Sequence, residues 1–162
     1  MDSAPVRRLW LGLGVATLVL LLDQATKLWA VQTLAGRAPI QVLGEFLQFR
    51  LLYNSGAAFS IGVGSTWIFT IVAAIAVVWL LWYLTRPQPK YRAVLVGLLL
   101  GGATTHLLDR LFREPGFGRG HVVDFIDYNG WFVGNVADIA LVCGAVLLAL
   151  SGLRKPDREE SA

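Results

Sequence analysis

Charged residues are scarce in this sequence. Lysine, arginine, aspartate and glutamate make up 15% of the 162 residues, whereas a soluble domain carries about a quarter. Hydrophobic residues make up 56%. So little charge argues against a soluble globular domain and indicates a chain embedded in a membrane.

Four stretches are mostly apolar over roughly 20 residues, which is the length that a helix needs to cross a bilayer. They predict a membrane all-α fold with transmembrane helices at approximately 9–31, 66–85, 91–111 and 132–153. Because these stretches leave no room for a separate globular domain, we expect residues 1–162 to form a single membrane domain.

Basic residues exceed acidic residues by 14 to 11, but they are sorted by side of the membrane rather than gathered as a nucleic-acid-binding patch. With four spans, eight of them share a side with both termini and six lie opposite. The positive-inside rule therefore places both termini in the cytoplasm and the long connections, about 32–65 and 112–131, outside. The eight are Arg7, Arg8, Arg86, Lys90, Arg92, Arg154, Lys155 and Arg158.

Cysteine is nearly absent, and this limits the possible chemistry. The single cysteine, Cys143, excludes an intramolecular disulfide, and we expect it to be a small buried hydrophobe in the fourth span. No serine or cysteine has a plausible neighbouring base, so a covalent nucleophile is not expected. His106 and His121 match no common ligand spacing, so we predict neither a metal nor a cofactor.

The first outer segment shows the alternation of a β-strand. From Phe46 onward, apolar residues at 47, 49, 51 and 53 alternate with Gln48 and Arg50, and Gly44 precedes them as a turn residue. Because sheet edges cannot face lipid, this element must lie at the interface or inside protein. We therefore expect a small outward-facing β element at approximately 38–60.

Several ionisable residues stand inside the apolar stretches, where charge is costly and usually functional. Asp23 and Lys27 are four residues apart, which allows an ion pair, a position in a polar interior, or both. His106, Asp109 and Arg110 share one helical face, and Gly101 and Gly102 upstream favour close packing around a polar pocket.

Two further aspartates are the candidates for chemistry. Asp124 lies in the second outer loop, and Asp138 lies about seven residues into the fourth apolar run, with Asn135 on its face. The turn residues Asn129 and Gly130 allow the chain to fold back and bring the two carboxylates together. Such a pair shares one proton, so the ionised member can activate water while the protonated member polarises a carbonyl.

Three function classes remain open from these residues alone. The first is an intramembrane aspartic peptidase. The second is a proton- or ion-coupled transporter that uses Asp23, Asp109 and Asp138 as relay groups. The third is a small helical scaffold whose acids fix helix pairing. A transporter of four spans would need to oligomerise, and the two halves show no inverted repeat.

The motifs together resemble the bacterial lipoprotein signal peptidases, or signal peptidase II. They run in family order over almost the whole chain: LDQATK (22–27), YNSGAAFS (53–60), GGATTHLLDR (101–110), GHVVDFID (120–127) and NVADIA (135–140). The resemblance implies four helices with an outward β-cradle in the bacterial inner membrane. It also implies a substrate, a diacylglyceryl-modified prolipoprotein cut just before its lipid-bearing cysteine, and inhibition by globomycin.

The resemblance also implies residue roles. Asp124 and Asp138 are similar to the family's catalytic pair. Seven other residues match or adjoin the polar lining of its substrate pocket: Asp23, Asn54, Gly56, His106, Asp109, Arg110 and Asn135.

The chain departs from the family pattern at one place. Thr105 and His106 stand where the family usually has glycine and asparagine. Threonine adds volume, and histidine is bulkier than asparagine and can become charged. We therefore expect an active enzyme whose pocket shape, pH response or inhibitor sensitivity differs from the family's.

Overall fold

The computed structural model describes residues 4–56 and 66–153. It contains four long helices and four short strands. In chain order the elements are α1 (Ala4–Leu34), β1 (Ile40–Leu43), β2 (Leu47–Asn54), α2 (Thr66–Leu84), α3 (Lys90–Phe112), β3 (Val122–Tyr128), β4 (Phe132–Gly134) and α4 (Val136–Leu153). All four helices are long and apolar enough to cross a membrane. The predicted fold class, four membrane helices with a small β element, is confirmed.

Helix α3 is the centre of the bundle. It packs against each of the other three helices, and α2 and α4 pack mainly on α3. Glycines permit two of these approaches: a Cβ atom at Gly101 would lie 2.7 Å from Val19 Cβ on α1, and one at Gly102 would lie 2.6 Å from Leu141 Cγ on α4. The predicted role of this glycine pair in close helix packing is confirmed.

The strands form one antiparallel sheet in the order β1-β2-β3-β4. Its inner strand β3 pairs with β2 so that Asp124 lies opposite Leu52. An aromatic cluster fixes the sheet to α1, because the rings of Trp29 and Phe49 lie 5.3 Å apart and that of Phe125 packs against both. The sheet therefore fixes the position of Asp124 at one end of the helix bundle.

Three local predictions are wrong. The fourth helix begins at Val136 rather than at 132, since residues 132–134 pair with β3 as a strand. Asp124 accordingly lies on a strand rather than in a loop, and Asp138 lies in the first turn of α4. Cys143 is exposed on the surface of α4 instead of buried.

Other predictions extend beyond the described residues. The end of the predicted β element, 57–60, and the basic residues after 153 lie outside them. Within them, the predicted turn at Asn129 and Gly130 is confirmed, because both have positive φ and join β3 to β4.

Candidate active site

A cavity of about 430 Å³ lies where α2, α3 and α4 meet the sheet. Its polar end brings together six of the nine residues predicted for the site: Asn54, Gly56, His106, Arg110, Asp124 and Asp138. Its apolar wall comes from α2, through Phe69 and Ala73, and from α4, through Leu141 and Val142. These two walls flank the opening between α2 and α4, which pack mainly on α3.

Asp124 is fixed in the cavity wall by two amides. Its Oδ1 accepts a hydrogen bond of 2.6 Å from Asn135 Nδ2, and its Oδ2 accepts one of 3.0 Å from Asn54 Nδ2. The side chain is only 2% exposed. Burial raises the pKa of Asp124 to about 6, and the nearby Asp138 carboxylate adds to the rise, whereas the two amides oppose it.

Asp138 is fixed by the start of its own helix. Asn135 precedes α4 as the capping residue, and its Oδ1 accepts the backbone N–H of Asp138 at 3.1 Å. In return, Asp138 Oδ2 accepts the backbone N–H of Asn135 at 2.9 Å. This reciprocal pair has the arrangement of a capping box. Asn135 therefore links the carboxylate pair, Asp124 and Asp138. Its amide nitrogen donates to the Asp124 side chain, and its amide oxygen accepts the backbone N–H of Asp138.

The segment after β2 is held by Arg110. Its guanidinium donates hydrogen bonds to the backbone carbonyls of Asn54, at 3.2 Å, Gly56, at 2.5 Å, and Gly120, at 3.3 Å. Asn54 Oδ1 also accepts the backbone N–H of Gly56 at 3.0 Å. Arg110 thus acts on the backbone that carries Asn54, and through Asn54 on Asp124.

A buried ion network, formed by Asp23, Lys27 and Asp109, joins α1 to α3. Lys27 Nζ is 2.7 Å from Asp23 Oδ2 and 2.8 Å from Asp109 Oδ2, and all three side chains are at most 1% exposed. Arg113 and Thr105 complete it: Arg113 Nε donates to Asp109 Oδ1, and the hydroxyl of Thr105 donates to Asp23 Oδ2. Charge this deeply buried needs such pairing.

The buried ion network also fixes the backbone of both site segments. Asp23 Oδ1 accepts the backbone N–H of Ala137 at 2.9 Å, and Asp109 Oδ2 accepts that of Val123 at 3.3 Å. Each of these residues directly precedes one member of the carboxylate pair. Lys27 pairs with both Asp23 and Asp109. One cation is therefore connected to the backbone beside each member of the carboxylate pair.

The predicted site residues thus divide into two groups. Asp23, Asp109 and Asn135 are not among the residues that line the cavity, and Asp109 turns away from the side shared by His106 and Arg110. Gln24 belongs to the buried ion network, because its Nε2 donates to Thr105 Oγ1 at 2.7 Å and to Asp109 Oδ1 at 3.0 Å. The sequence patterns did not predict Lys27, Gln24 or Thr105 as site residues. A lysine inside an apolar span, four residues after an aspartate, was the signal for the first of them.

Asp127, the remaining acid of the second outer segment, is structural. Its Oδ2 accepts a hydrogen bond of 2.8 Å from Arg50 Nε, and its Oδ1 accepts the backbone N–H of Gly130 at 2.7 Å. It does not line the cavity. Within residues 4–56 and 66–153, no group of three or more His, Cys, Asp or Glu side chains has the geometry to hold a metal ion.

This arrangement agrees with the comparison to known families. Residues 15–154 match the family of signal peptidase (SPase) II. The chain belongs to that family. It is therefore a membrane peptidase, and the transporter and scaffold interpretations are set aside.

Individual relatives agree with the family. The lipoprotein signal peptidase of Mycolicibacterium smegmatis is 46% identical over 99% of this chain and 73% of its own length. That of Mycobacterium avium is 47% identical over 92% of this chain and 82% of its own. Two bacterial membrane enzymes solved by the in meso method have TM-scores of 0.77 and 0.76, with 27% and 28% identity. The alignments cover 93% and 90% of this chain, and 92% and 94% of theirs.

Proposed function

We propose that this chain is an aspartic lipoprotein signal peptidase that cuts diacylglyceryl-modified prolipoproteins just before their lipid-bearing cysteine. The observation that carries the proposal is the carboxylate pair, in which one asparagine side chain contacts both members at the polar end of the cavity. Asp124 and Asp138 are the catalytic residues. One member takes a proton from a water molecule as the water oxygen bonds to the scissile carbonyl carbon. The other member polarises that carbonyl and protonates the leaving amine as the C–N bond breaks.

The cavity suits a substrate with a greasy and a polar part. A signal helix and its acyl chains match the apolar walls on α2 and α4, which meet the membrane at the gap between those helices. The scissile bond then lies at the polar end beside Asn54, Gly56, His106 and Arg110, which bind substrate. Asp23, Asp109 and Asn135 support these residues from behind. A lipid-bearing cyclic peptide such as globomycin would occupy the same cavity.

The charge distribution supports an orientation. Arg86, Lys90 and Arg92 lie at the α2–α3 connection, at the end of these helices remote from the sheet. The positive-inside rule assigns that end, with both termini, to the cytoplasm of a bacterial inner membrane. The catalytic pair then lies near the outer face, where it meets water.

The test is cleavage of a diacylglyceryl-modified prolipoprotein by the purified protein in detergent micelles. Asp124→Asn and Asp138→Asn keep the size of the side chain but cannot exchange a proton, so both should lose nearly all turnover while remaining folded. Asp127→Asn is the matched control, since Asp127 lies on the same strand as Asp124 but outside the cavity. Full turnover in either catalytic variant would refute the assignment of the pair. Absence of cleavage by folded wild-type protein would refute the function.

A further inference from the structure

His106 and Asp138 lie side by side in the cavity wall. His106 Nε2 is 3.2 Å from Asp138 Oδ1, and the two side chains are 20% and 26% exposed. The contact crosses from α3 to the first turn of α4. A charge on the imidazole therefore acts on the Asp138 carboxylate at close range.

The two members of the carboxylate pair have different surroundings. Asp138 lies at the N-terminus of a helix and accepts a backbone N–H there, and both features favour its negative charge. Asp124 is buried on a strand, and its pKa is raised by that burial. The surroundings of Asp138 therefore favour a negative charge more than those of Asp124 do.

The other charged groups around His106 do not have the same effect on Asp138. From β3 the facing acid is Asp124, and from its own helix the cation is Arg110, which donates to backbone carbonyls of neighbouring segments. The phenol of Tyr128 is also within electrostatic reach of Asp138. Among the described residues that line the cavity, His106 is the one histidine, and histidine is the side chain whose charge changes near neutral pH.

We propose that His106 is a positioning residue for the carboxylate pair: as the imidazolium it holds Asp138 ionised, so that Asp138 is the base and Asp124 the proton donor. The inference rests on the proposed peptidase function, because these are roles in that reaction. In this proposal, a residue outside the pair determines which member holds the proton.

The experiment measures kcat/KM against pH for wild type, His106→Gln and His106→Asn with a diacylglyceryl-modified prolipoprotein. Both replacements keep a polar N–H and cannot become positive. An opposite charge within about 4–6 Å lowers the pKa of a carboxyl by about 1–3, and partial exposure weakens this effect. We therefore expect the acidic limb of kcat/KM to move to higher pH in both variants. The alkaline limb should move less, because His106 has the smallest of the effects acting on Asp124.

A second measurement does not depend on turnover. Infrared titration follows the protonated carboxyl band of Asp138, identified as the band lost in Asp138→Asn, and this band should appear at higher pH in the two His106 variants. An unchanged acidic limb together with an unchanged titration would overturn the inference, as would a change confined to KM. If wild-type protein cleaves nothing, the proposed function fails, and the infrared titration alone still decides whether His106 controls the charge of Asp138.

Discussion

Lys27 and Asp109 form an ion pair of 2.8 Å between α1 and α3, and neither side chain is more than 1% exposed. The same ammonium group binds Asp23 at 2.7 Å. Because Asp23 and Asp109 each accept a backbone N–H next to one member of the carboxylate pair, this contact connects helix packing to the geometry of the site. The charges in α1 are thus part of the site's support.

Lys27→Met should destabilise the protein strongly. The substitution leaves two buried carboxylates without their shared cation, and breaking a buried pair costs about 3–5 kcal/mol. The control is Arg50→Met, which breaks the Arg50–Asp127 pair. Arg50 is 42% exposed, and Asp127 keeps the backbone N–H of Gly130 as a donor, so we expect a smaller loss of stability. Thermal unfolding in detergent micelles compares the two variants. Equal losses of stability would contradict the assigned role of Lys27.

How far the sequence predicts this structure differs between elements. The four helices follow from apolar length alone, and β2 follows from its alternating pattern. Strand β3 was missed because the sheet and the helices bury nearly every residue of VVDFIDY, so the strand shows no period of two. The start of α4 was misplaced although the sequence held a signal: Asn135 and Asp138 have capping-box spacing before an apolar run.

The site was predicted as a set of residues but not as an arrangement. Sequence spacing placed His106, Asp109 and Arg110 on one helical face, but it could not show that α1 supplies a lysine to Asp109. That partner is 82 positions away in the chain, and its contact depends on helix packing. Which of the predicted site residues line the cavity, and which support them from outside it, likewise depends on tertiary packing.

Asp124→Asn should stabilise the protein at alkaline pH. The pKa of Asp124 is about 6 in the folded protein, above its ordinary value, so between about pH 4 and 6 the folded chain holds a proton that the unfolded chain releases. Wild-type stability therefore falls as pH rises through this window, by at most about 3 kcal/mol. Asparagine does not titrate, so the variant should exceed wild type in melting temperature at pH 8, and this advantage should shrink toward pH 4. A difference that is the same at both pH values would contradict the raised pKa.

Asn135 has two separable tasks, helix capping and the link between the carboxylate pair. Asn135→Ala should lose both: about 1 kcal/mol of stability from the cap, and a larger part of turnover because Asp124 loses its 2.6 Å donor. Asn135→Ser restores a capping oxygen but not the amide that reaches Asp124. Melting temperature should therefore recover in the serine variant while kcat does not. Recovery of both quantities would show that the amide link is dispensable.

Gly102→Ala should weaken the contact between α3 and α4. The added Cβ would lie 2.6 Å from Leu141 Cγ and 3.0 Å from the backbone oxygen of Ala137, so α4 must move away. Overpacking of this kind costs about 1–3 kcal/mol, and here the helix that moves carries Asp138 in its first turn. Gly14→Ala is the matched control, because nothing lies within 4 Å of its added Cβ and alanine favours a helix. Melting temperature and kcat should both fall for Gly102→Ala and neither should fall for Gly14→Ala. Unchanged turnover in a destabilised Gly102→Ala would mean that the position of α4 tolerates the shift and that the capping box alone fixes Asp138.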